Sequence, residues 1–151
     1  LEKFRKDGDD YNAIMLKLLA DRLAEAFAEL LHFKVRTEYW GYSDESNPDM
    51  KKLLKEAYQG IRPAPGYPAC PEHSEKRTLL NLLDAEKKIG VQLTESFAMY
   101  PAATVSGYYF AHPESKYFNI SKILPDQVQD YAQRKKVSEQ QVKQWLPVNT
   151  L

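Results

Sequence analysis

A single cysteine, Cys70, stands in the 151 residues, so no internal disulfide can form. Nor is there an excess of either charge. Lys+Arg and Asp+Glu both total 21, which leaves no net field to draw a polyanion, and no basic cluster is interleaved with aromatic rings as nucleic-acid surfaces require. No apolar run approaches the length of a membrane span, and no leading apolar stretch resembles a signal peptide. His32, His73 and His112 lie far apart, and Cys70-x-x-His73 supplies two close ligands where a structural zinc takes four. No set of Ser, His and Asp stands out as a hydrolytic triad, and no Gly-rich strand-to-helix turn marks a doubly wound nucleotide fold. The expectation is a protein in a reducing, cytoplasmic setting that has no nucleic acid, membrane or metal as partner.

What is present is an ordinary folded composition, 43% hydrophobic and 28% charged, in a length that suits one domain over residues 1–151. Leu1 to Asp10 is polar and reads as the middle of something cut. From there to about Arg36 neither proline nor glycine occurs. Leu16, Leu19, Leu23, Phe27 and Leu30 recur every three or four residues, the spacing of one helix face. Ile14, Leu18, Ala24, Ala26 and Ala28 widen that stripe, so the long helix is expected to run through the domain, covered on much of its circumference.

After the polar turn Ser43 to Pro48, a short helix is expected over about Asp49 to Ala57, and a longer one from Glu72 or Ser74 to Ile89, stopped by Gly90. Val91 to Thr94 has strand composition. So do Thr104 to Ala111 and Lys116 to Ser121, read as a hairpin across His112-Pro113-Glu114-Ser115. Pro125 opens a helix to about Lys135, and Ser138 can cap a last one through Trp145. The class predicted is α+β: a long central helix, several shorter helices and a small antiparallel sheet including the hairpin near 104–121.

Chemistry concentrates in Tyr58 to Pro71, where Pro63, Pro65, Pro68 and Pro71 forbid regular structure while fixing much of the backbone. Backbone amides and carbonyls held this way can face a ligand at little ordering cost. Arg62 offers a planar fork for a carboxylate, Gly66 permits close backbone approach, and Tyr67 supplies a ring and a hydroxyl. An amino acid-like or nucleoside ligand suits that set. A connecting loop whose arginine merely pairs with a surface acid stands beside it as an alternative.

The run Arg62-Pro63-Ala64-Pro65-Gly66-Tyr67-Pro68-Ala69-Cys70-Pro71-Glu72-His73, preceded by Tyr58-Gln59-Gly60-Ile61, resembles the activation domain of cobalamin-dependent methionine synthases. Leu93 to Met99, Val105 to Phe110, Asp9 to Asn12, Ala20 to Glu29, Ser115 to Tyr117 and Asp126 to Val128 fit the same family, so the likeness covers nearly the whole chain.

The resemblance implies a site for S-adenosylmethionine. Arg62 would take its carboxylate, the Ala64 backbone, Gly66 and Tyr67 would line it, Tyr117 would close the pocket, and Glu25 would stand near it. Two alternatives stay open: Glu25 as one acid of a wet stripe with Asp21 and Glu29, and Tyr117 as sheet packing. No catalytic acid, base or nucleophile is implied. The family's task is to return oxidised cob(II)alamin to use by coupling a one-electron reduction to methyl transfer from S-adenosylmethionine, within an enzyme that makes methionine from homocysteine and 5-methyltetrahydrofolate.

Cobalamin and zinc would sit in other modules; the Asp-x-His-x-x-Gly signature of a cobalamin-ligating module is missing here. The implied partners are the cobalamin-binding domain of the same enzyme and flavodoxin or an equivalent flavoprotein. The family domain is longer, so this chain is expected to be its C-terminal part. The N-terminal portion, which carries another ligand-binding acid, would be missing, whether the chain is a trimmed fragment or a shortened relative. A docking module that binds no S-adenosylmethionine is the alternative function, and a free-standing methyltransferase is disfavoured by the lack of a nucleotide fold.

Overall fold

The computed structural model describes residues 1–150. Its elements follow one another as α1 (Glu2–Lys6), α2 (Asp10–Lys34) with a π-helical turn at Val35–Tyr39, α3 (Met50–Leu54), α4 (Glu75–Leu83), α5 (Ala85–Ile89), β1 (Gln92–Leu93), β2 (Met99–Tyr100), α6 (Pro125–Lys135) and α7 (Glu139–Trp145). The class is α+β, with one long helix and a two-stranded antiparallel sheet.

Local signals explain most boundaries. The Asp9 carboxylate accepts from the Asn12 amide at the start of α2, and the Asp49 carboxylate caps α3 in the same manner. Pro125 occupies the first turn of α6, where its missing N–H costs nothing, and the Gln127 side chain accepts from the Leu124 amide at 2.8 Å. Ser138 caps α7 through the Gln141 amide. The single helix expected from Ser74 to Ile89 is instead two, because Asp84 adopts a left-handed conformation, φ +53°, that ends α4 and turns the chain into α5.

Two small cores organise the described residues. Leu79 and Leu80 of α4 pack with Ala85 and Val91, and Leu93, Met99 and Tyr108 close over them. Val128 and Ala132 of α6 pack with Val142 and Leu146 in an α6–α7 helical hairpin, flanked by Tyr131 and Trp145. The units are joined by the Lys135–Glu75 ion pair at 2.6 Å and by the edge-to-face rings of Phe97 and Trp145.

Two expectations about packing need correction. The apolar stripe of α2 is open: Leu16, Leu19, Leu23, Phe27 and Leu30 are between 41% and 71% exposed. Beyond Ala13, the helix is buried only at its C-terminal end, at His32 and Phe33, where the proline-rich loop packs against it. The helix therefore does not run through the middle of these residues.

The hairpin near 104–121 is also absent, and neither of its halves forms a strand. Thr104 to Ala111 pairs with the proline-rich loop, not with Lys116 to Ser121. Ile61 and Phe110 exchange both backbone hydrogen bonds, the Tyr108 amide donates to the Pro63 carbonyl at 2.9 Å, and the Gln59 side chain donates to the Ala111 carbonyl. Pro63 accepts but has no N–H to return, so the ladder stops at a single bridge. Gly107 permits the approach: a Cβ there would lie 2.8 Å from the Pro63 carbonyl oxygen. The segment after the turn runs along the other side of the loop, where the Ile120 amide donates to the Pro68 carbonyl at 3.0 Å.

Candidate ligand-binding site around Arg62

The loop is held on both flanks, and its own prolines stiffen what lies between. Within it the Tyr67 amide donates to the Ala64 carbonyl at 3.2 Å, the Cys70 amide to the Tyr67 carbonyl at 2.8 Å, and the Gly66 amide to the Cys70 carbonyl at 2.7 Å. Ala64, Gly66 and Tyr67 thus share one tight turn, and the Tyr67 side chain is exposed. At its end the Glu72 carboxylate, 4% exposed, accepts from the amide and hydroxyl of Ser74 and from the Tyr131 hydroxyl at 3.0 Å. That buried carboxylate ties the loop to α6.

Arg62 is the centre of a polar cluster contributed mainly by the last turns of α2. Its Nη2 pairs with the Glu29 carboxylate at 2.6 Å, its Nη1 donates to the Tyr58 hydroxyl at 3.1 Å, and the same Nη1 meets Nδ1 of His32 at 3.3 Å. A guanidinium only donates, so Nδ1 of His32 is the acceptor and the ring proton sits on Nε2, facing the Tyr42 hydroxyl at 3.5 Å. Tyr58 and Tyr109 pack against the His32 ring at centroid distances of 5.2 and 5.0 Å.

Behind them Arg36 is fully buried, its guanidinium 3.8 Å above the centre of the Tyr58 ring and 3.5 Å from Glu45. Burial, then the charges of Arg36 and Arg62, pull the His32 pKa down to about 4, so the ring is neutral at pH 7. Burial pushes the Tyr58 phenol up to about 12. Burial works against the Arg62 charge, but the Glu29 hydrogen bond and the neighbouring groups outweigh it and raise its pKa.

Of the residues singled out in the sequence, Arg62 and Tyr117 meet directly: the Tyr117 hydroxyl accepts from the Arg62 backbone amide at 3.0 Å. Glu25 stands apart. It is exposed and pairs with Arg22 at 2.8 Å, one helical turn before Glu29 and on the same side of α2. Glu29 is the acid that reaches Arg62. Glu29, His32 and Tyr58 were not legible as site residues, and the single available signal, an acid, a histidine and an arginine at Glu29, His32 and Arg36 on one face of α2, is common on solvated helices.

An open cleft of about 650 Å³ adjoins the loop, walled by Gly66, Tyr67, His73, Phe97 and Trp145 among others; Arg62, Ala64 and Tyr117 do not line it. Cys70 is half-buried, and burial, then Glu75 and Glu72, raise its thiol pKa. Among the described residues no group of three or more His, Cys, Asp or Glu is placed to hold a metal ion, and no helix is long and apolar enough to cross a membrane.

Residues 1–136 match the family model for the activation domain of vitamin B12-dependent methionine synthase. The chain belongs to that family. It is also similar to the crystal structure of the MetH reactivation domain bound to AdoHcy, with 58% identity and a TM-score of 0.95. That match covers 99% of this chain and 46% of the other, so the chain spans just under half the length of the structure it resembles. At that identity the fold of this activation-domain segment and that of the reactivation domain are the same over nearly every residue.

Proposed function

We propose that this chain binds S-adenosylmethionine and presents its methyl group for reductive methylation of cob(II)alamin in B12-dependent methionine synthase. The observation that carries the reading is the state of Arg62. Of its five N–H donors, two on Nη1 and one on Nη2 are taken by Tyr58, His32 and Glu29, which leaves the Nε–H and the second Nη2–H. Two donors on one guanidinium are what a carboxylate takes in bidentate fashion. The AdoHcy bound by the similar MetH reactivation domain carries such a carboxylate.

The remaining assignments follow the same logic. Arg62 binds the carboxylate, the backbone of Ala64 and Gly66 with the Tyr67 side chain lines the ligand, and Tyr117 closes over it while its hydroxyl holds the Arg62 amide. Glu25, exposed on the side of α2 that carries Glu29, faces the ligand's cationic groups. When bound, the sulfonium supplies a methyl group already attached to a good leaving group. The chain's own part is to fix its position, and proximity and orientation are the form of catalysis it contributes. Cobalamin and zinc belong to other modules. The cobalamin-binding domain of the same enzyme is the surface this site must meet, and a flavodoxin-like protein supplies the electron.

Calorimetric titration with S-adenosylmethionine tests the reading. Arg62→Ala should weaken binding by at least about 30-fold, the equivalent of about 2 kcal/mol for a charge-assisted bidentate contact. Unchanged affinity in that variant would remove Arg62 from the site, and no heat of binding in a folded sample of the full-length polypeptide that carries this chain would leave the docking function in its place.

A further inference from the structure

We propose that Glu29, His32 and Tyr58 are positioning residues for ligand selection: they clamp one end of the Arg62 guanidinium so that its opposite edge alone is offered to a free α-carboxylate. The inference rests on the reading of Arg62 as the carboxylate-binding residue.

The geometry identifies the clamped end. The Tyr58 hydroxyl lies on Nη1 and the Glu29 Oε2 on Nη2, and these two oxygens are 3.5 Å from one another. They therefore straddle the tip of the fork between Nη1 and Nη2. His32 takes the other Nη1 hydrogen. The open donors, Nε–H and the remaining Nη2–H, lie together on the far edge of the plane, parallel and spaced for two carboxylate oxygens.

Hydrogen bonding within the cluster is incomplete. The second oxygen of Glu29, Oε1, is buried without a hydrogen-bond partner, and so are Nε and Nη1 of Arg36 behind Tyr58. Unsatisfied buried groups of this kind cost folding free energy. Arg36 nonetheless has a geometric effect: its guanidinium, stacked 3.8 Å over Tyr58, fixes the ring whose hydroxyl meets Nη1. His32 is able to accept only because it is neutral, and burial, then the two arginines flanking it, keep it so. Each member of the cluster thus acts on the orientation of Arg62, and none of them needs to touch the ligand.

The consequence is selectivity by the amino acid end. A ligand that keeps the adenosine and thioether but lacks the amino acid, such as 5′-methylthioadenosine, makes no use of the open edge. Affinities for AdoHcy and 5′-methylthioadenosine are to be measured in the full-length polypeptide carrying this chain, for the wild type and for Glu29→Ala, His32→Leu and Tyr58→Phe.

The expected result is a loss of AdoHcy affinity of about tenfold or more in the first two and about threefold or more in Tyr58→Phe, with 5′-methylthioadenosine within about twofold throughout. Glu29→Gln and His32→Asn, which retain an acceptor oxygen, should recover most of the loss. Tyr58→Phe keeps ring and volume, and it decides the matter if a more drastic variant fails to fold.

Equal losses for both ligands would overturn the inference by assigning these residues a structural role. So would AdoHcy binding that is unchanged or tighter in Glu29→Ala, by reducing Glu29 to a counter-charge. Arg62→Ala separates the two levels of the argument: if it loses AdoHcy while the clamp variants do not, only this inference fails; if it too retains AdoHcy, the ligand reading itself fails.

Discussion

Gly66 is the position in the loop least able to accept a side chain, and Gly66→Ala measures how firmly the loop is braced. Its φ of +98° lies in the left-handed range, and a Cβ there would fall against the His73 ring, 2.8 Å from Nδ1 and 2.9 Å from Nε2. Backbone strain of this sort costs about 1–3 kcal/mol for a residue with a Cβ. Forcing a methyl group into an occupied contact costs about 1–3 kcal/mol more. The ring has little freedom to move away. Its Nδ1 is held by Lys76 Nζ at 2.8 Å, and that buried ammonium also donates to the Phe97 carbonyl at 3.2 Å.

Gly66→Ala should therefore destabilise by about 2–6 kcal/mol, read from urea midpoints with an unchanged slope. In a His73→Ala background the collision is gone and only the strain remains, so the cost there should fall to about 1–3 kcal/mol. The difference is the coupling energy of a double-mutant cycle. A cost below about 1 kcal/mol in the wild-type background, or the same cost in both backgrounds, would refute the packing of His73 beneath the loop.

His32 should remain neutral until the pH approaches 4, which heteronuclear NMR of its ring can follow. Because its folded pKa lies below the ordinary value of 6.5, the unfolded chain takes up the proton first. The stabilisation is complete above about pH 6.5 and is lost as pH falls towards 4, in total about 3 kcal/mol. Burial and Lys76 shift His73 in the same direction, so the comparison is with His32→Leu, whose stability should fall less steeply through that window; a His32 ring titrating near 6.5 would contradict its burial beside two arginines. Tyr131→Phe removes the 3.0 Å hydrogen bond to the buried Glu72 carboxylate and should cost about 1.5–3 kcal/mol in urea unfolding, whereas a change below about 0.5 kcal/mol would show that Glu72 does not anchor the loop to α6.

The helices were legible where a local signal forces them. The three- and four-residue spacing from Leu16 to Leu30 marks α2, Pro125 and Ser138 mark the starts of α6 and α7, and Gly90 marks the end of α5, all of them effects within one turn of chain. Burial was not legible, because periodicity shows which face is apolar and not what covers it; Leu23 and Phe27 belong to the stripe and are exposed. Strand pairing failed for a related reason. β-branched and aromatic composition marked Thr104 to Ala111 for a strand, but the segment makes only an isolated bridge, and its partner, Ile61 with Pro63, is decided by tertiary packing of a loop whose prolines argue against pairing.

At the candidate site, proline density and Arg62 drew attention to the loop on which the polar cluster is built. Two of the groups that hold Arg62, Glu29 and His32, come from α2, with His32 thirty positions away, and a carboxylate among Asp21, Glu25 and Glu29 is indistinguishable from a solvated row until the fold brings Arg62 to one of them. Arg36 is harder still, since an arginine on an amphipathic helix reads as exposed, yet its guanidinium is enclosed against Tyr58.

In the proposed site Arg62 grips the amino acid end of S-adenosylmethionine through the edge left open by Glu29, His32 and Tyr58. A crystal structure of the full-length polypeptide with that ligand tests it most directly. Both carboxylate oxygens are expected within about 3 Å of Nε and Nη2 of Arg62, with the three clamping contacts retained. Ligand density whose carboxylate lies elsewhere, with Arg62 still bonded only to Glu29, His32 and Tyr58, would contradict it.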